Sequence, residues 1–403
     1  MKKISAVLLV LVLVGSVAFA GFTGEAEANF GIDFDSQQYG FENVVELTSD
    51  LVFFEKLVDN AGDGDIYAEI KAELTLAFDF EDQANENDAF ADGEIVSNAE
   101  ITSAKIIGDD WYVGILGAMG APNFASSAID IDTTADEDAL DLEPADYVVE
   151  GAGVEVGYAG YVFGVAAPRD ATNDIDAETY NLFGSVTTPE YELGDGLALS
   201  FGAAGMLKDT DKAASFSMKG AYTMDDITAN IESDLVYDDG LEVEVAVNTV
   251  IDIVTLDVYF ATLDDAASAA YDDGTENILS AKAAFAIDQF DIEVTGKDLL
   301  NASILGASVD FAATEEISVN VNGGYTLMGV NEQAWYVGGG ATYTAEKYVA
   351  SAEATYASDE TLEVEASVES DVIVDGATLS LTYASDDIMT LGGSLIAAVN
   401  IAF

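Results

Sequence analysis

Carboxylates are the only abundant reactive side chains in this sequence. Its 403 residues include 76 Asp and Glu, 12 Lys and Arg, no His and no Cys. The chain therefore lacks the groups needed for thiol nucleophiles, Ser-His-Asp triads, Cys/His zinc sites and imidazole acid–base catalysis. Nucleic acid is also excluded as a partner, because phosphate binding needs clusters of Lys and Arg.

Two kinds of carboxylate chemistry remain to be weighed. A pair of acids could cleave glycosidic bonds, but no pair stands out among so many. Asp59, Asp63 and Asp65 form part of a calcium-loop pattern, in which Ala61 and Ile70 occupy ligand positions, so a solvated turn explains this stretch better. We therefore expect no catalytic residues, no cofactor and no specific metal site. Loose binding of divalent cations remains open at acidic pairs in loops, namely Asp225-Asp226, Asp238-Asp239, Asp264-Asp265 and Asp272-Asp273.

The overall composition combines strong acidity with ample apolar material. The net charge is −64, yet half of the residues are hydrophobic and the mean hydropathy is +0.22. A disordered acidic chain would be poor in apolar residues, because it buries too little surface to offset the entropy of folding. The length allows two or three domains, or one large β-barrel.

Residues 1–20 have the pattern of an export signal. Lys2 and Lys3 precede an almost unbroken apolar run over residues 4–14, and Ala18-Phe19-Ala20 fits a cleavage site. A membrane-spanning helix would need about 20 apolar residues, which this stretch does not reach. We expect cleavage after Ala20, with residues 21–403 forming one exported domain.

Strict alternation of apolar and polar residues dominates the rest of the chain. Such a period of two is typical of strands with one dry and one wet face. The wet-face positions of the clearest segments carry Glu25, Glu27, Glu69, Glu73, Glu242, Glu244, Glu363 and Glu365. These segments predict an all-β fold of about 20 strands, with a range of 16–22, each roughly as long as a membrane-barrel strand.

Connections between the predicted strands are sorted by length. The long ones, 81–97, 119–146, 168–177 and 263–277, all follow odd-numbered strands, whereas the turns on the other side are mostly short. All four prolines fall outside the predicted strands, where a missing N–H does not break a ladder. Short turns at one end and long loops at the other are typical of a transmembrane antiparallel barrel.

Aromatic spacing agrees with this interpretation. Trp335 and Tyr343 share one face of a predicted strand, eight residues apart, and Tyr348 and Tyr356 repeat the spacing on the next. Eight tilted strand residues span about 20 Å, close to the height of the apolar band between aromatic girdles. Core aromatics of a soluble β-sandwich are the alternative explanation.

The C-terminal residues carry a family resemblance. Apolar residues occupy alternate positions and end in a terminal Phe: Leu391, Gly393, Leu395, Ala397, Val399, Ile401 and Phe403. This resembles the last strand of Gram-negative outer-membrane β-barrels, the signal read by the barrel assembly machinery. The whole chain is most similar to general porins, and its leader and acidic strands also resemble the major outer sheath proteins of spirochaetes.

The resemblance implies an up-and-down transmembrane barrel that passes small hydrophilic solutes and forms a homotrimer in the outer membrane. In general porins, the third external loop folds into the lumen, and the matching connection is 119–146. Its acids are Asp130, Asp132, Asp136, Glu137, Asp138, Asp141, Glu143 and Asp146. General porins oppose such a loop with arginines, whereas this chain has only Arg169. We therefore expect an almost uniformly negative lumen.

The charge of the predicted lumen supports transport of cations. Carboxylates on the wet face can stay ionised only if water fills the interior, because a dry lumen would need counter-charges that the chain lacks. Rings of acids concentrate cations and repel anions. A saline habitat would also explain the acidity. The alternatives to a porin are a structural or adhesin barrel with surface-binding loops, and a soluble exported β-protein.

Overall fold

The structure is a computed structural model that describes most of the chain after residue 21. The described residues are 22–35, 37–52, 66–79, 94–119, 121–129, 149–166, 181–194, 196–208, 211–238, 240–262, 277–300, 304–327, 334–374, 377–390 and 392–402. Their secondary structure consists of β-strands and one short 3-10 turn, Ile388–Thr390. Within these ranges, no helix is long and apolar enough to cross a membrane. The predicted leader lies outside them.

The alternating segments fold into 23 strands of one sheet. The first twelve are β1 (Phe22–Asp33), β2 (Gln38–Val52), β3 (Tyr67–Asp79), β4 (Glu94–Ile107), β5 (Trp111–Met119), β6 (Val149–Tyr158), β7 (Tyr161–Ala166), β8 (Asn181–Thr187), β9 (Tyr191–Glu192), β10 (Leu197–Lys208), β11 (Asp211–Met224) and β12 (Ile227–Asp238). The others are β13 (Gly240–Ile251), β14 (Val254–Thr262), β15 (Asn277–Ile287), β16 (Phe290–Lys297), β17 (Ile304–Ala312), β18 (Ile317–Thr326), β19 (Trp335–Thr344), β20 (Val349–Ala357), β21 (Leu362–Val374), β22 (Ala377–Ser385) and β23 (Ser394–Ala402).

Strand pairing confirms the predicted all-β, antiparallel, up-and-down order. Each strand pairs with its neighbours in the chain, except that the two-residue β9 extends β8 along β10. The last strand, β23, pairs with β1 from Glu25↔Ala402 to Asp33↔Ser394. The ladder is not continuous over its full height, because β4 and β5 pair only from Lys105↔Gly114 to Ile107↔Tyr112.

The two ends of the sheet differ in their connections. One end, called the short-turn end, has the two-residue turns 159–160, 225–226, 252–253 and 288–289. Three of these turns begin with an Asp at positive φ, at 51°, 55° and 54° for Asp225, Asp252 and Asp288. Asp tolerates this left-handed region better than most residues. The opposite end, called the long-loop end, has the connections 80–93, 120–148, 167–180 and 263–276. One long connection, 53–66, departs from the prediction by joining β2 to β3 at the short-turn end.

The two faces of the sheet differ in burial and chemistry. In β11, Ser215 and Ser217 are buried while Phe216 between them is 45% exposed. We call the face that carries Ser217 the inner face and the face that carries Phe216 the outer face. Antiparallel ladder partners lie on the same face, so the register assigns a face to every paired residue.

Aromatic pairs flank the outer face at both ends. Trp335 contacts Tyr356 at the long-loop end, with ring centroids 5.8 Å apart, and Tyr343 contacts Tyr348 at the short-turn end, also at 5.8 Å. The two aromatic residues of β19 that lie eight residues apart are therefore at opposite ends of the sheet, and the same holds for Tyr348 and Tyr356.

Glycines 338 and 340 allow close packing on the inner face of β19. A Cβ on Gly338 would lie 2.7 Å from Thr355 Oγ1, and one on Gly340 would lie 2.7 Å from Asn320 Oδ1. Real Cβ atoms essentially never come so close, so side chains of the neighbouring strands occupy the space. The sequence supports the same conclusion, since no helix follows these glycines as a phosphate-binding loop would require.

Candidate functional site

The start of the longest connection lies against the inner face of the sheet. Residues 121–129, called the docked segment, follow β5 and contact the wall from β10 to β15. Ser217 Oγ donates a hydrogen bond to the carbonyl of Pro122 at 2.5 Å. Farther along, Lys282 Nζ donates to the carbonyl of Ala128 at 3.0 Å. The docked segment therefore crosses several strands instead of standing outside the sheet.

Asp234 is the central anchor of the docked segment. Its Oδ2 accepts hydrogen bonds from the backbone N–H of Phe124 at 2.9 Å and of Ala125 at 2.5 Å. Asp234 is fully buried and Ala125 is 2% exposed, so water cannot readily replace these bonds. Leaving a buried N–H unpaired is costly, so these two bonds hold the docked segment on the wall.

A missing side chain makes room for the docked segment on β10. Gly202 is buried, and a Cβ at this position would overlap the ring of Pro122. Next to this contact, Ala121 packs against an apolar cluster on the inner face, formed by Ala166, Phe183, Ala213 and Val236. This cluster departs from the uniformly polar wet face that alternation predicts.

The anchors lie near the middle of their strands. Ser217 is close to the midpoint of β11 (Asp211–Met224), and Lys282 is close to the midpoint of β15 (Asn277–Ile287). Asp234 occupies a similar level on β12 (Ile227–Asp238). The docked segment is therefore held against the inner face at about mid-height of these strands.

A cavity of about 180 Å³ lies between the docked segment and the wall. Ser126 and Ala128 line it from the segment, and Asn230, Asn248 and Asp257 line it from the strands. Asn230 and Asn248 are ladder partners, as are Asn248 and Asp257. Asn248 Nδ2 also donates to Asp257 Oδ1 at 2.6 Å. These three side chains therefore form a continuous polar row within a wall that also includes apolar residues.

Two lysines on the inner face lie beside the docked segment, each next to an acid. Lys282 Nζ is 3.9 Å from Asp257 Oδ2 and 3.9 Å from Glu293 Oε2. Lys219 forms a short ion pair with Glu232. The expectation of an almost uniformly negative lumen stays a prediction, and in this part of the wall the acids beside Lys282 outnumber it.

The register places all eight predicted wet-face acids on the inner face. Glu365 pairs with Glu353, and further ladder partners lead through Asp310 and Asp291 to the face of β15 that carries Lys282. Glu363 and Glu365 are exposed there. The register positions of Glu25, Glu27, Glu69 and Glu73 belong to the same face. Their pore-lining role stays a prediction.

Glu242 and Glu244 lie in a different environment from the other predicted acids. Glu244 is fully buried and is the ladder partner of Asp234, which is also fully buried. Glu242 is half-buried. The expectation that every such carboxylate faces water is wrong for Glu244, since its part of the wall lies next to the strand positions that hold the docked segment.

Several predicted residues lie outside the described part of the chain. These are Phe403 and the acids of the candidate constriction loop, Asp130, Asp132, Asp136, Glu137, Asp138, Asp141, Glu143 and Asp146. Of the predicted C-terminal signal, Val399 and Ile401 lie in β23, and Val399 is 36% exposed on the outer face. Recognition of Val399, Ile401 and Phe403 by the assembly machinery stays a prediction.

The acidic pair Asp225-Asp226 forms a two-residue turn at the short-turn end, so it does not belong to a long external loop. Across the described ranges, no group of three or more Asp or Glu is placed to hold a metal ion. Asp264-Asp265 and Asp272-Asp273 lie outside these ranges. Asp239 of the pair Asp238-Asp239 lies outside them as well, and loose cation binding at the four acidic pairs stays a prediction.

One exposed carboxyl at the long-loop end has a lowered pKa. Asp359 Oδ1 accepts hydrogen bonds from Thr361 Oγ1 at 2.6 Å and from its N–H at 3.1 Å. These bonds favour the ionised form and hold the pKa of Asp359 below its usual value. The turn gains this stabilisation above the usual carboxyl pKa and loses it as the pH falls through the lowered pKa.

Sequence reasoning did not single out the anchors Ser217, Asp234 and Lys282. Each occupies a wet-face position of an alternating strand, and this position is the only feature of the sequence that points to them. Alternation identifies the face of a residue, but the partner of Asp234 lies 109 residues earlier in the chain.

Comparisons with known proteins give similarity of fold only. No protein-family model matches the chain, and no curated protein sequence matches it. The siderophore receptor PirA from Pseudomonas aeruginosa is 10% identical with a TM-score of 0.47, over 96% of this chain and 80% of that one. The translocation pore of the P pilus usher PapC is 8% identical with a TM-score of 0.42, over 94% and 99%. A triple mutant of Rh. blastica porin is 12% identical with a TM-score of 0.33, over 95% and 99%.

Proposed function

We propose that this protein is an outer-membrane channel for passive diffusion of small hydrophilic solutes and ions, with a preference for cations. The observation that carries the proposal is the docked segment, which is anchored to the inner face at mid-height by Ser217, Asp234 and Lys282. A segment held there narrows the interior beside the strands from β10 to β15. A barrel with a purely structural role does not require a segment held inside it.

The outer face supports a location in a membrane. Large apolar side chains are exposed along it, including Ile231 at 43%, Leu235 at 37% and Val321 at 54%. Exposing so much apolar surface to water would be unfavourable, whereas lipid accommodates it. Aromatic pairs at both ends of β19 and β20 match the interfacial girdles of membrane barrels.

The inner face supports a water-filled lumen. Asp310, Glu353, Glu363 and Glu365 are exposed on this face. Isolated carboxylates are too costly to desolvate without counter-charges, so water must reach them. The chain carries only 12 Lys and Arg to compensate 76 acids.

The preference for cations follows from the charge of the inner face. The acids attract cations over a distance set by salt, about 10 Å at 0.1 M and 3 Å at 1 M ionic strength. Lys219 and Lys282 weaken this attraction beside the docked segment, where each faces an acid. We therefore expect moderate selectivity that decreases as the salt concentration rises.

Assembly by the barrel machinery and a homotrimeric state belong to the same proposal.

Planar-bilayer recording tests the proposed function. The purified protein should give stepwise conductance, and under a KCl gradient its reversal potential should have the sign of cation selectivity and decrease at higher mean salt. Steps with anion preference would contradict the charge argument but leave a channel. Stable insertion without conductance would contradict the channel and favour a structural or adhesin barrel.

A further inference from the structure

An apolar groove of about 500 Å³ indents the outer face near the long-loop end. Its floor follows one row of ladder partners across β7, β8, β10, β11 and β12: Val165, Gly184, Gly205, Ala214 and Tyr237. The middle of this row carries two glycines and an alanine, while Val165 and Tyr237 stand at its sides. We call this indentation the outer groove.

The walls of the outer groove face away from the interior. Val165 is 56% exposed and Tyr237 is 58% exposed, whereas the inner-face residues Ala166 and Phe183 are each 1% exposed. Leu182 and Leu207, which are ladder partners at its long-loop side, are also about half exposed, at 49% and 51%. The outer groove is therefore an apolar surface that opens outward.

Packing within the chain does not require the two glycines. A Cβ on Gly184 would meet no atom closer than 3.8 Å, and the same distance holds for Gly205. Neither glycine has a positive φ. By contrast, a Cβ on the outer-face Gly339 would lie 3.0 Å from the carbonyl of Asn320. Glycine weakens a strand, and where nothing in the chain demands it, it often marks the close approach of another molecule.

A single positive charge stands at the rim of the outer groove. Lys212 lines it, is exposed, and is the ladder partner of Leu207 near the long-loop end of β11. Among the described residues, no carboxylate lies within ion-pair distance of Lys212. A lysine with no ion-pair partner among the described residues, beside an apolar groove, is complementary to a molecule with an apolar body and an anionic head.

We propose that the outer groove binds one acyl chain of an anionic membrane lipid, whose net negative head group contacts Lys212. The glycine row admits the acyl chain, and Leu182, Leu207 and Tyr237 enclose it. Lys212 near the end of the strand lies at the level where a lysine side chain reaches the polar head groups. This inference rests on the proposed membrane location, and it assigns a lipid with a defined charge to one defined site.

Native mass spectrometry of the full chain, extracted from vesicles of equal phosphatidylglycerol and phosphatidylcholine, tests the proposal. The protein should retain phosphatidylglycerol several-fold over phosphatidylcholine. A Gly184→Val/Gly205→Val variant should lose retention of both lipids, and its fold should persist because both positions have free space. Lys212→Met should keep lipid retention but lose the preference for phosphatidylglycerol. Two control variants should behave like the wild type: Ala307→Val, which introduces a valine on the outer face of β17, and Lys347→Met.

Three results would overturn the proposal. Equal retention of both lipids by the wild type would contradict the proposed role of Lys212. Unchanged lipid retention in the double valine variant would show that the outer groove is not the binding site. Loss of a chain–chain complex in the double valine variant, with lipid retention unchanged, would assign the groove to a second copy. Washing the vesicles with alkaline carbonate separates these results from failure of the proposed function, because a protein released by the wash is not a membrane barrel at all.

Discussion

Replacing Asp234 by Leu should increase the single-channel conductance, because it releases the docked segment from the wall. The substitution removes the acceptor of two backbone N–H groups, those of Phe124 and Ala125. Each unpaired buried donor costs about 1–3 kcal/mol, so the ratio of docked to released segment should fall by at least about 5- to 150-fold. The conductance of single channels in a planar bilayer measures this release directly.

The matched control is Asp310→Leu, which makes the same substitution on the same face of β17. Asp310 is exposed and its ladder partners are Asp291 and Asn320, so the control removes one inner-face charge without touching an anchor. We expect a small loss of selectivity and no gain in conductance. Equal conductance changes in the two variants would contradict the anchoring role of Asp234.

A second variant protects this test against a folding defect. Gly202→Leu places a side chain where the ring of Pro122 lies and should displace the docked segment from β10. Resistance of the folded protein to unfolding in detergent, seen as a shift in gel mobility on heating, verifies that each variant is folded. A folded Gly202→Leu variant with wild-type conductance would also count against the constriction.

Replacing Lys282 by Met should increase the selectivity for cations. The change leaves Asp257 and Glu293 without their shared lysine and frees the carbonyl of Ala128. A unit charge about 8 Å from a passing ion contributes about 0.5–2 kcal/mol at effective dielectric constants between 80 and 20. Reversal potentials under a KCl gradient should therefore shift to a permeability ratio roughly two- to thirty-fold higher.

Lys212→Met is the control for this prediction. Lys212 carries the same charge but lies on the outer face, so its removal should leave the reversal potential unchanged. An identical shift in both variants would mean that net charge, and not the position of Lys282, determines selectivity. Absence of a shift in Lys282→Met would place Lys282 outside the ion path.

The strands could be predicted because their information is local. Alternation alone identified the segment around Glu363 and Glu365, now β21, and the segment around Glu242 and Glu244, now β13. The two turns that begin with Asp252 and Asp288 fall between such segments because Asp tolerates the positive φ. The order of the sheet then follows, since short turns force consecutive strands to pair.

The anchors of the docked segment could not be predicted, because their contacts are not local. Asp234 looks like any wet-face acid until a segment 109 residues away is placed on it. The same contact region explains the error at Glu244, whose burial depends on what covers the wall and not on its own strand. Lys282 was not singled out, because the low number of basic residues predicted an almost uniformly negative lumen.

The central claim is that the docked segment narrows an ion-conducting lumen, and a single introduced cysteine tests it most directly. The chain has no Cys, so Ser126→Cys gives one reactive thiol on an exposed residue of that segment. A cationic methanethiosulfonate reagent, added during recording, should reduce both the current and the cation selectivity. The same reagent should leave the current unchanged when the cysteine replaces Glu360, in the turn between β20 and β21. Modification of Ser126→Cys, verified by mass, without any change in current would contradict the claim.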